Sequence, residues 1–281
     1  MIKDITIVFV SYHSEKKIIK YLKQFRNKFK VIIVENSKNL QLKKLKKKYK
    51  NLTIIVNKNN KGFGSGSNMG LRKVKTRYGM HLDLDTNLSN KSIINLIKEA
   101  NEIINFAILG PKIRNYRYQK KDFIEKNFKK KLSLMNFIDG CCLLFNMKTL
   151  KKIGYFDENY FLYFEEFDLI KRCIKKNYKV LMTEKVLLSH IGRSSSDSKY
   201  NNEIEINRNW HYLWSKFYFY NKHYNYFFAF YKIFNQFISA LIKSTFYSFT
   251  VNENKKRVYK ARLSGCWNSI KLNKSWYRPK I

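Results

Sequence analysis

Residues 5–10, Ile5-Thr6-Ile7-Val8-Phe9-Val10, are followed by a second β-branched run at Val31-Ile32-Ile33-Val34 and a third at Ile54-Ile55-Val56. Each run has the length of a strand, and an unbroken apolar run predicts burial on both faces, as in a parallel sheet covered by helices. Between the runs, Ile18, Leu22 and Phe25, and then Leu42, Leu45 and Tyr49, recur at helical spacing. The order β-α-β-α-β predicts one half of a doubly wound domain.

Downstream, Lys61-Gly62-Phe63-Gly64-Ser65-Gly66-Ser67-Asn68-Met69-Gly70 reads as a glycine-rich turn. It matches neither the dinucleotide fingerprint G-x-G-x-x-G nor the P-loop, which needs a lysine after its last glycine. What remains is a turn whose backbone can approach a ligand closely. A strand is expected near Tyr78 to Leu84, a helix with Ile93, Ile97, Ala100 and Ile104 on one face, and a strand at Phe106 to Leu109. Residues 111–135 show no clean period and read as an irregular excursion. Order resumes with an apolar run at Cys141 to Phe145, a helix over Glu165 to Lys176 and a last strand at Val186 to His190. Arg193-Ser194-Ser195-Ser196 reads as a loop. Residues 1–200 and 201–281 are expected to be separate domains, the second helical, aromatic and basic.

The 281 residues carry 57 Lys and Arg against 20 Asp and Glu, a net charge of +37, with 44% hydrophobic content. Such a chain can bury a large core, which excludes a small disulfide-stapled scaffold and general disorder. Cys141, Cys142, Cys173 and Cys266 lack the C-x-x-C spacing of a zinc knuckle or redox dithiol, and a reducing cytosol fits them best. Met1-Ile2-Lys3-Asp4 carries no basic region or cleavage site, so no secretory signal is expected. No apolar run reaches the roughly 18 residues of a spanning helix.

The charge predicts attraction to polyanions without choosing among nucleic acid, anionic lipid and phosphorylated metabolites. Its densest run, Lys43 to Lys50, is the solvated face of the Leu42, Leu45, Tyr49 helix. Residues 203–250 interleave Trp210, Trp214 and many Phe and Tyr with Lys216, Lys222, Lys232 and Lys243. That composition suits a helix lying at an anionic membrane surface, the alternative being a helical subdomain packed on the core.

Ligands of open α/β sheets bind at the carboxyl ends of the strands. There the sequence offers Ser11-Tyr12-His13-Ser14-Glu15, Glu35-Asn36-Ser37 and His81-Leu82-Asp83-Leu84-Asp85. Asp83 and Asp85, at i and i+2, can face one side and offer the hard oxygens that suit Mg²⁺ or Mn²⁺; the alternative is a surface capping pair. Glu165-Glu166-Phe167-Asp168 opens a helix, where acids are favoured by the dipole whatever the function, and Asp168 faces Arg172 at i+4. One of these carboxylates, held among Phe161, Tyr163 and Phe164, is a candidate general base. His190 is a candidate third metal ligand.

The order of these pieces resembles glycosyltransferase family 2, the GT-A fold, and most closely its rhamnosyltransferase-like branch. The matching stretches are Val10-Ser11-Tyr12, Ile33-Val34-Glu35-Asn36-Ser37, Asn60 to Gly64 with Asn68 and Gly70, Asp83-Leu84-Asp85, Asp139 to Leu144, Ile153 to Glu158, and Phe161 to Leu169 with Arg172. Ser189-His190 follows at the expected place. The resemblance spans residues 5 to 195 and implies an α/β fold, a doubly wound, mostly parallel sheet flanked by helices, with an aromatic-rich helical extension.

It further implies an inverting transferase that moves a hexosyl or deoxyhexosyl group from a nucleoside diphosphate sugar, of UDP or dTDP type, to a hydroxyl of a glycan or polyprenyl-linked acceptor. By that resemblance Val10, Ser11, Tyr12, Glu15, Glu35, Asn68 and Asp83 hold the nucleotide, and Asp83, Asp85 and His190 hold the metal. Glu166 is the base, with Glu165 and Asp168 beside it. Glu166 and Glu35 stand where the family usually has Asp, and His13 where it commonly has Asn.

The combined reading is a metal-dependent enzyme of surface polysaccharide assembly, cytoplasmic and peripheral on the inner face of the cell membrane, with no specific nucleic-acid partner. Its rivals are a catalytically silent GT-A domain acting as an assembly partner and a basic nucleic-acid-binding protein, which would leave Asp83, Asp85 and Glu166 without a task.

Overall fold

A computed structural model describes residues 2–114, 116–192 and 196–280. Of the expected loop 193–196, residues 193–195 lie outside the described residues. The chain forms two compact units: Met1–Lys61, Ser65–Phe156 and Glu166–Ser196 make the first, and Gly62–Gly64, Asp157–Glu165 and Asp197–Ile281 the second. The second unit thus takes in two short segments from the sequence-expected first domain.

In the first unit the three apolar runs are β1 (Ile5–Ser11), β2 (Lys30–Glu35) and β3 (Leu52–Val56). They pair in parallel, β1 also pairing in parallel with β4 (Tyr78–Leu82). Ile5, Ile7, Phe9 and Ile33 are fully buried, each contributing on the order of 2 kcal/mol relative to exposure. Helix α1 (Glu15–Phe25) buries Ile18, Leu22 and Phe25, as its spacing predicts. The Leu42 series differs: residues Leu40–Lys47 form a 3-10 helix rather than an α-helix. Only Leu42 there is buried, and a tighter turn lets one anchor sit down while the lysines stay in water.

The glycine-rich stretch is not a turn. It is helix α2 (Gly62–Leu71). A Cβ on Gly66 would stand 3.0 Å from Val10 Cγ1, and one on Gly70 would stand 2.3 Å from Val8 Cγ1. The glycines therefore let a helix of poor intrinsic propensity lie close on β1 and β2, and packing overrides the propensity.

Beyond β4 come the short β5 (Thr86–Asn87) and α3 (Asn90–Asn101), which buries Ile93, Ile97 and Ala100; Ile104 lies past its end and is exposed. Strand β6 (Phe106–Ile113) is longer than expected. The supposedly irregular excursion contains a hairpin, β7 (Phe123–Lys129) and β8 (Leu132–Met135). Its outer strand is mostly exposed and charged, so it carries no core period to read. Strand β9 (Cys142–Asn146) leads into α4 (Met147–Ile153), a short helix the spacing did not disclose. Helix α5 (Glu165–Lys175) and β10 (Lys179–His190) follow, β10 starting seven residues before the expected Val186.

The strands lie in the order β3-β2-β1-β4-β9-β6-β10-β8-β7, with β5 paired to the end of β10. Among them β9, β8 and the short β5 run against the rest, so the central sheet is mostly parallel. Two of these features assemble the site. The β4–β9 pairing continues as Asp83 N–H to Cys141 O at 2.8 Å, bringing Asp139–Cys141 beside Asp83. The β5–β10 pairing sets His190 opposite Thr86, next to Asp85.

The second unit is built on α6 (Asn201–His223), α7 (Tyr226–Ser248) and α8 (Glu253–Ile270). Leu213, Phe217, Ala229, Ile233 and Cys266 share one buried cluster, and Gly265 lets α8 approach Trp210 O, where a Cβ would stand 2.3 Å away. The segment 157–165 is bonded to α6: Asp157 pairs with Lys222 at 2.7 Å, Ser215 Oγ donates to Leu162 O at 2.8 Å, and Phe161 stacks on His211. Among the described residues no helix is long and apolar enough to cross a membrane. All four cysteines are free and buried.

Candidate active site

Ser11 and Glu35 are register partners at the carboxyl ends of β1 and β2. Both are fully buried. Glu35 Oε1 accepts from Ser37 N–H at 2.6 Å and from the Ser37 hydroxyl. Burial nevertheless pushes the Glu35 carboxyl above its usual range, the serine hydrogen bonds opposing it. Beyond β1, Tyr12 packs edge-on against His13, Ser14 Oγ donates to Tyr12 O, and Glu15 Oε1 accepts from Asn39 Nδ2 at 2.5 Å. His13 has φ +52°, a left-handed conformation that Asn and His adopt more readily than most residues. Val10 is half-buried beside Gly66.

Asn68 is turned elsewhere. Its Nδ2 donates to Phe156 O at 2.8 Å and its Oδ1 accepts from Phe156 N–H at 3.0 Å, which ties α2 to the loop after α4. The expected diphosphate or ribose role thus falls on a side chain whose amide is already bonded at both ends.

Asp83, Asp85 and His190 each offer a ligand atom within 4.8 Å of the others. His190 Nε2 stands 3.4 Å from Asp85 Oδ1, and that bond, with the charges of Asp85, Asp139 and Asp83, raises the imidazole pKa against the cost of burial. Burial raises the Asp83 carboxyl, with His81 opposing it. Two carboxylates and an imidazole suit a divalent cation that takes oxygen ligands with one nitrogen, so the residues fit Mg²⁺ or Mn²⁺. A second grouping, Asp139, Cys141 and His190, shares the imidazole. Burial and then the Asp139 charge push the Cys141 thiol up, which keeps it protonated and disfavours it as a ligand for a hard ion.

Glu166 stands in the first turn of α5. Its Oε2 is shielded from solvent and has no hydrogen-bond partner among the described residues. A Cβ on Gly140 would meet Glu166 Cβ and Cγ at 3.7 Å, so the Asp139-Gly140 turn lies directly against this side chain. Burial first, then the charges of Asp139 and Asp83, push the Glu166 carboxyl up to about 8. Asp168, also fully buried, is bound to Arg172 Nε at 2.8 Å. The Arg172 fork donates on to the carbonyls of Ile153, Gly154 and Tyr155. Asp168 therefore faces a structural arginine. Glu165 is buried as the first residue of α5.

Two groups escaped the sequence reading. His81 Nε2 stands 3.0 Å from Asp83 Oδ1, and its Nδ1 is 3.3 Å from Ser67 Oγ; donation from Nε2 to Asp83 leaves Nδ1 to accept the serine hydroxyl. The signal was present, since residues i and i+2 of a strand share a face. Asp139, 3.9 Å from His190 Nδ1, lies in a matched stretch but carried no assigned role.

The doubly wound, mostly parallel sheet has the architecture that the resemblance to glycosyltransferases of the GT-A fold implies. The profile of the family described as Glycosyl transferase family 2 matches residues 6–154, and the chain belongs to that family. It is 22% identical over 200 residues to the low-salt glycan biosynthesis hexosyltransferase Agl10 of Haloferax volcanii, the match spanning 64% of each chain. Among solved structures it is similar to the mannosyltransferase PcManGT of Pyrobaculum calidifontis in complex with GDP-Man and Mn²⁺. There the TM-score is 0.57 at 10% identity, covering 94% of this chain and 86% of that one. Similarity to residues 1–349 of TarS from S. aureus in complex with UDP has a TM-score of 0.51 at 15% identity, covering 98% and 93%.

Proposed function

We propose that this glycosyltransferase is an inverting, divalent-metal-dependent enzyme that transfers a hexosyl or deoxyhexosyl group from a UDP- or dTDP-type donor to a hydroxyl of a glycan or polyprenyl-linked acceptor. The proposed setting is surface polysaccharide assembly at the inner face of the cell membrane. The observation that carries the reading is the shielded Oε2 of Glu166, without a hydrogen-bond partner among the described residues, in a group of side chains that also includes Asp83 and Asp139.

On this reading Glu166 Oε2 accepts the proton of the acceptor hydroxyl as that oxygen attacks the anomeric carbon from the face opposite the leaving group. A carboxylate with a raised pKa suits that task, because its proton affinity approaches the working pH. Asp83, Asp85 and His190 would hold a divalent cation, which would supply charge stabilisation to a leaving nucleoside diphosphate. His81 orients Asp83 for that seat through its imidazole, as outer partners of metal ligands do. Ser11, Tyr12, Glu15 and Glu35 line the proposed nucleotide seat at the ends of β1 and β2. The PcManGT complex with GDP-Man and Mn²⁺ supports the donor class by likeness of fold.

The test is donor hydrolysis by the full chain across UDP, dTDP and GDP sugars with Mn²⁺ or Mg²⁺, together with calorimetric binding of the free nucleotides. Turnover of one donor that requires metal and is abolished by Asp85→Ala and by Glu166→Gln supports the reading. Nucleotide binding without turnover in the presence of any acceptor extract points to a silent domain and overturns it.

A further inference from the structure

Helix α7 carries apolar residues on both of its faces. Those it buries fully are mostly small, Ala229, Ala240 and Ser244 with the larger Ile233, and Tyr226, Phe230 and Phe237 are half-buried against the same cluster. Most of its other large side chains point to solvent. Tyr231, Phe234, Ile238, Leu241, Ile242 and Phe246 are all exposed, and the row is bounded by Phe227 and Phe249, which are 83% and 87% exposed. At 100° per residue these positions fall within a stripe roughly 140° wide that runs about 33 Å along the helix. Scattered exposed apolar residues need no explanation, but a stripe of eight interrupted by Asn235 and Thr245 alone does.

The charge of this region selects the occupant. Residues 201–281 contain 14 Lys and Arg against three Glu. On α7 itself the only charged residues are Lys232 and Lys243, which fall together along one margin of the stripe. Lys232 lies over the rings of Tyr220, Phe228 and Tyr231, and Lys243 over Tyr259, so their stems cover aromatic surface while their ammonium groups remain cationic. A second copy of the same face would bring like charge against like charge. An anionic bilayer surface offers the opposite charge together with an apolar layer deep enough to take the rings.

We propose that the outward face of α7, from Phe227 to Phe249, lies in the surface of an anionic membrane, parallel to its plane, with Lys232 and Lys243 at headgroup depth. This deepens the proposed function by naming the residues that meet the membrane, and it rests on that reading for the lipid-linked acceptor alone.

The experiment is co-flotation of the full chain with vesicles of phosphatidylcholine and phosphatidylglycerol at two to one, compared with pure phosphatidylcholine. Wild type is set beside F234S/I238S/L241S and beside K232E/K243E. All the altered side chains have exposed or half-exposed positions, and helical content by circular dichroism reports that the variants fold. The expected result is wild-type binding to the anionic vesicles, with partition reduced about tenfold or more by either variant and by 0.5 M salt, and weak binding to pure phosphatidylcholine. Equal flotation of the wild type and the folded serine variant overturns the proposal. So does a wild type that ignores anionic vesicles, and so does a concentration-dependent dimer in sedimentation that the serine variant abolishes, which would make a second copy the occupant. Donor hydrolysis without acceptor is measured in parallel. Lost flotation with hydrolysis intact strikes the docking face alone, and lost hydrolysis with flotation intact strikes the transferase reading alone.

Discussion

His190 Nε2 lies 3.4 Å from Asp85 Oδ1 because β5 pairs with the end of β10 and sets His190 opposite Thr86. Asp85 itself lies in the turn between β4 and β5, and the strand pairing on either side of that turn holds the candidate cation seat. Asp85→Asn and His190→Gln should each weaken Mn²⁺ binding by about tenfold to a hundredfold or more, read by calorimetry. His81→Phe should weaken it less, since it removes only the bond that orients Asp83. Unchanged Mn²⁺ affinity in both ligand variants would move the metal elsewhere.

On the proposed reading, Glu166 sets the pH dependence of turnover. Its carboxyl is raised above the ordinary glutamate value, so the protonated form dominates at mildly acidic pH and the proton-accepting form grows as pH rises toward about 8. Turnover should rise with pH over that range, the midpoint moving downward as a divalent cation offsets the Asp83 charge. Glu166→Gln should lower kcat by about 10² to 10⁴ and remove the rising limb. Glu166→Asp should keep the limb at a reduced rate. Stability runs the other way: a folded-state pKa above the unfolded one gives stability that is complete below about 4.5 and lost as pH climbs through the folded value. The Gln variant should accordingly gain on wild type in melting temperature between pH 5 and pH 8. A flat pH profile in the wild type would remove Glu166 from the proton transfer.

What was legible in the chain follows from how each signal arises. The β1 and β2 runs are buried on both faces, so their composition alone betrays them, whereas β3, at the end of the strand order, buries Leu52 and Ile54 and leaves Thr53 exposed. Glu35 stood out because it ends the β2 run, and Asp83 and Asp85 because they follow β4 directly. Helix α2 was not legible, since its glycines answer to the distance from Val8 and Val10 rather than to helical propensity. The β7–β8 hairpin was hidden because its outer strand is charged and exposed. Nor could spacing say that the Asn68 amide is bonded at both ends to Phe156, a partner 88 residues away. The turn before β9 and the start of α5 meet at Glu166 only after an antiparallel strand has been inserted between β4 and β6.

The glycines of α2 and of the Asp139 turn separate packing from chemistry. Gly70→Ala drives a Cβ to 2.3 Å from Val8 Cγ1, so the helix must lift from the sheet. It should cost about 1 to 3 kcal/mol in a urea titration. Gly140→Ala places its Cβ at an ordinary 3.7 Å from the Glu166 side chain. That variant should fold with near wild-type stability, and any loss should appear in kcat. If Gly70→Ala were the milder of the two in the titration, the close seat of α2 on β1 would be wrong.

Arg172 is the last residue whose removal discriminates between readings. It satisfies the buried Asp168 and caps three successive carbonyls, those of Ile153, Gly154 and Tyr155. Arg172→Ala leaves a fully buried carboxylate without its cation, a change that costs about 3 to 5 kcal/mol in comparable settings. Arg172→Lys should recover only part of this, because a single ammonium cannot reproduce the planar fork. If Asp168 serves the fold, Asp168→Asn should lower the urea midpoint while Mn²⁺ affinity and the rising pH limb set by Glu166 stay in place. If instead it is the base, the Asn variant should keep its midpoint and lose the limb. The bond to Arg172 favours the first outcome, because an oxygen already accepting from a guanidinium at 2.8 Å is poorly placed to meet the hydroxyl of an acceptor.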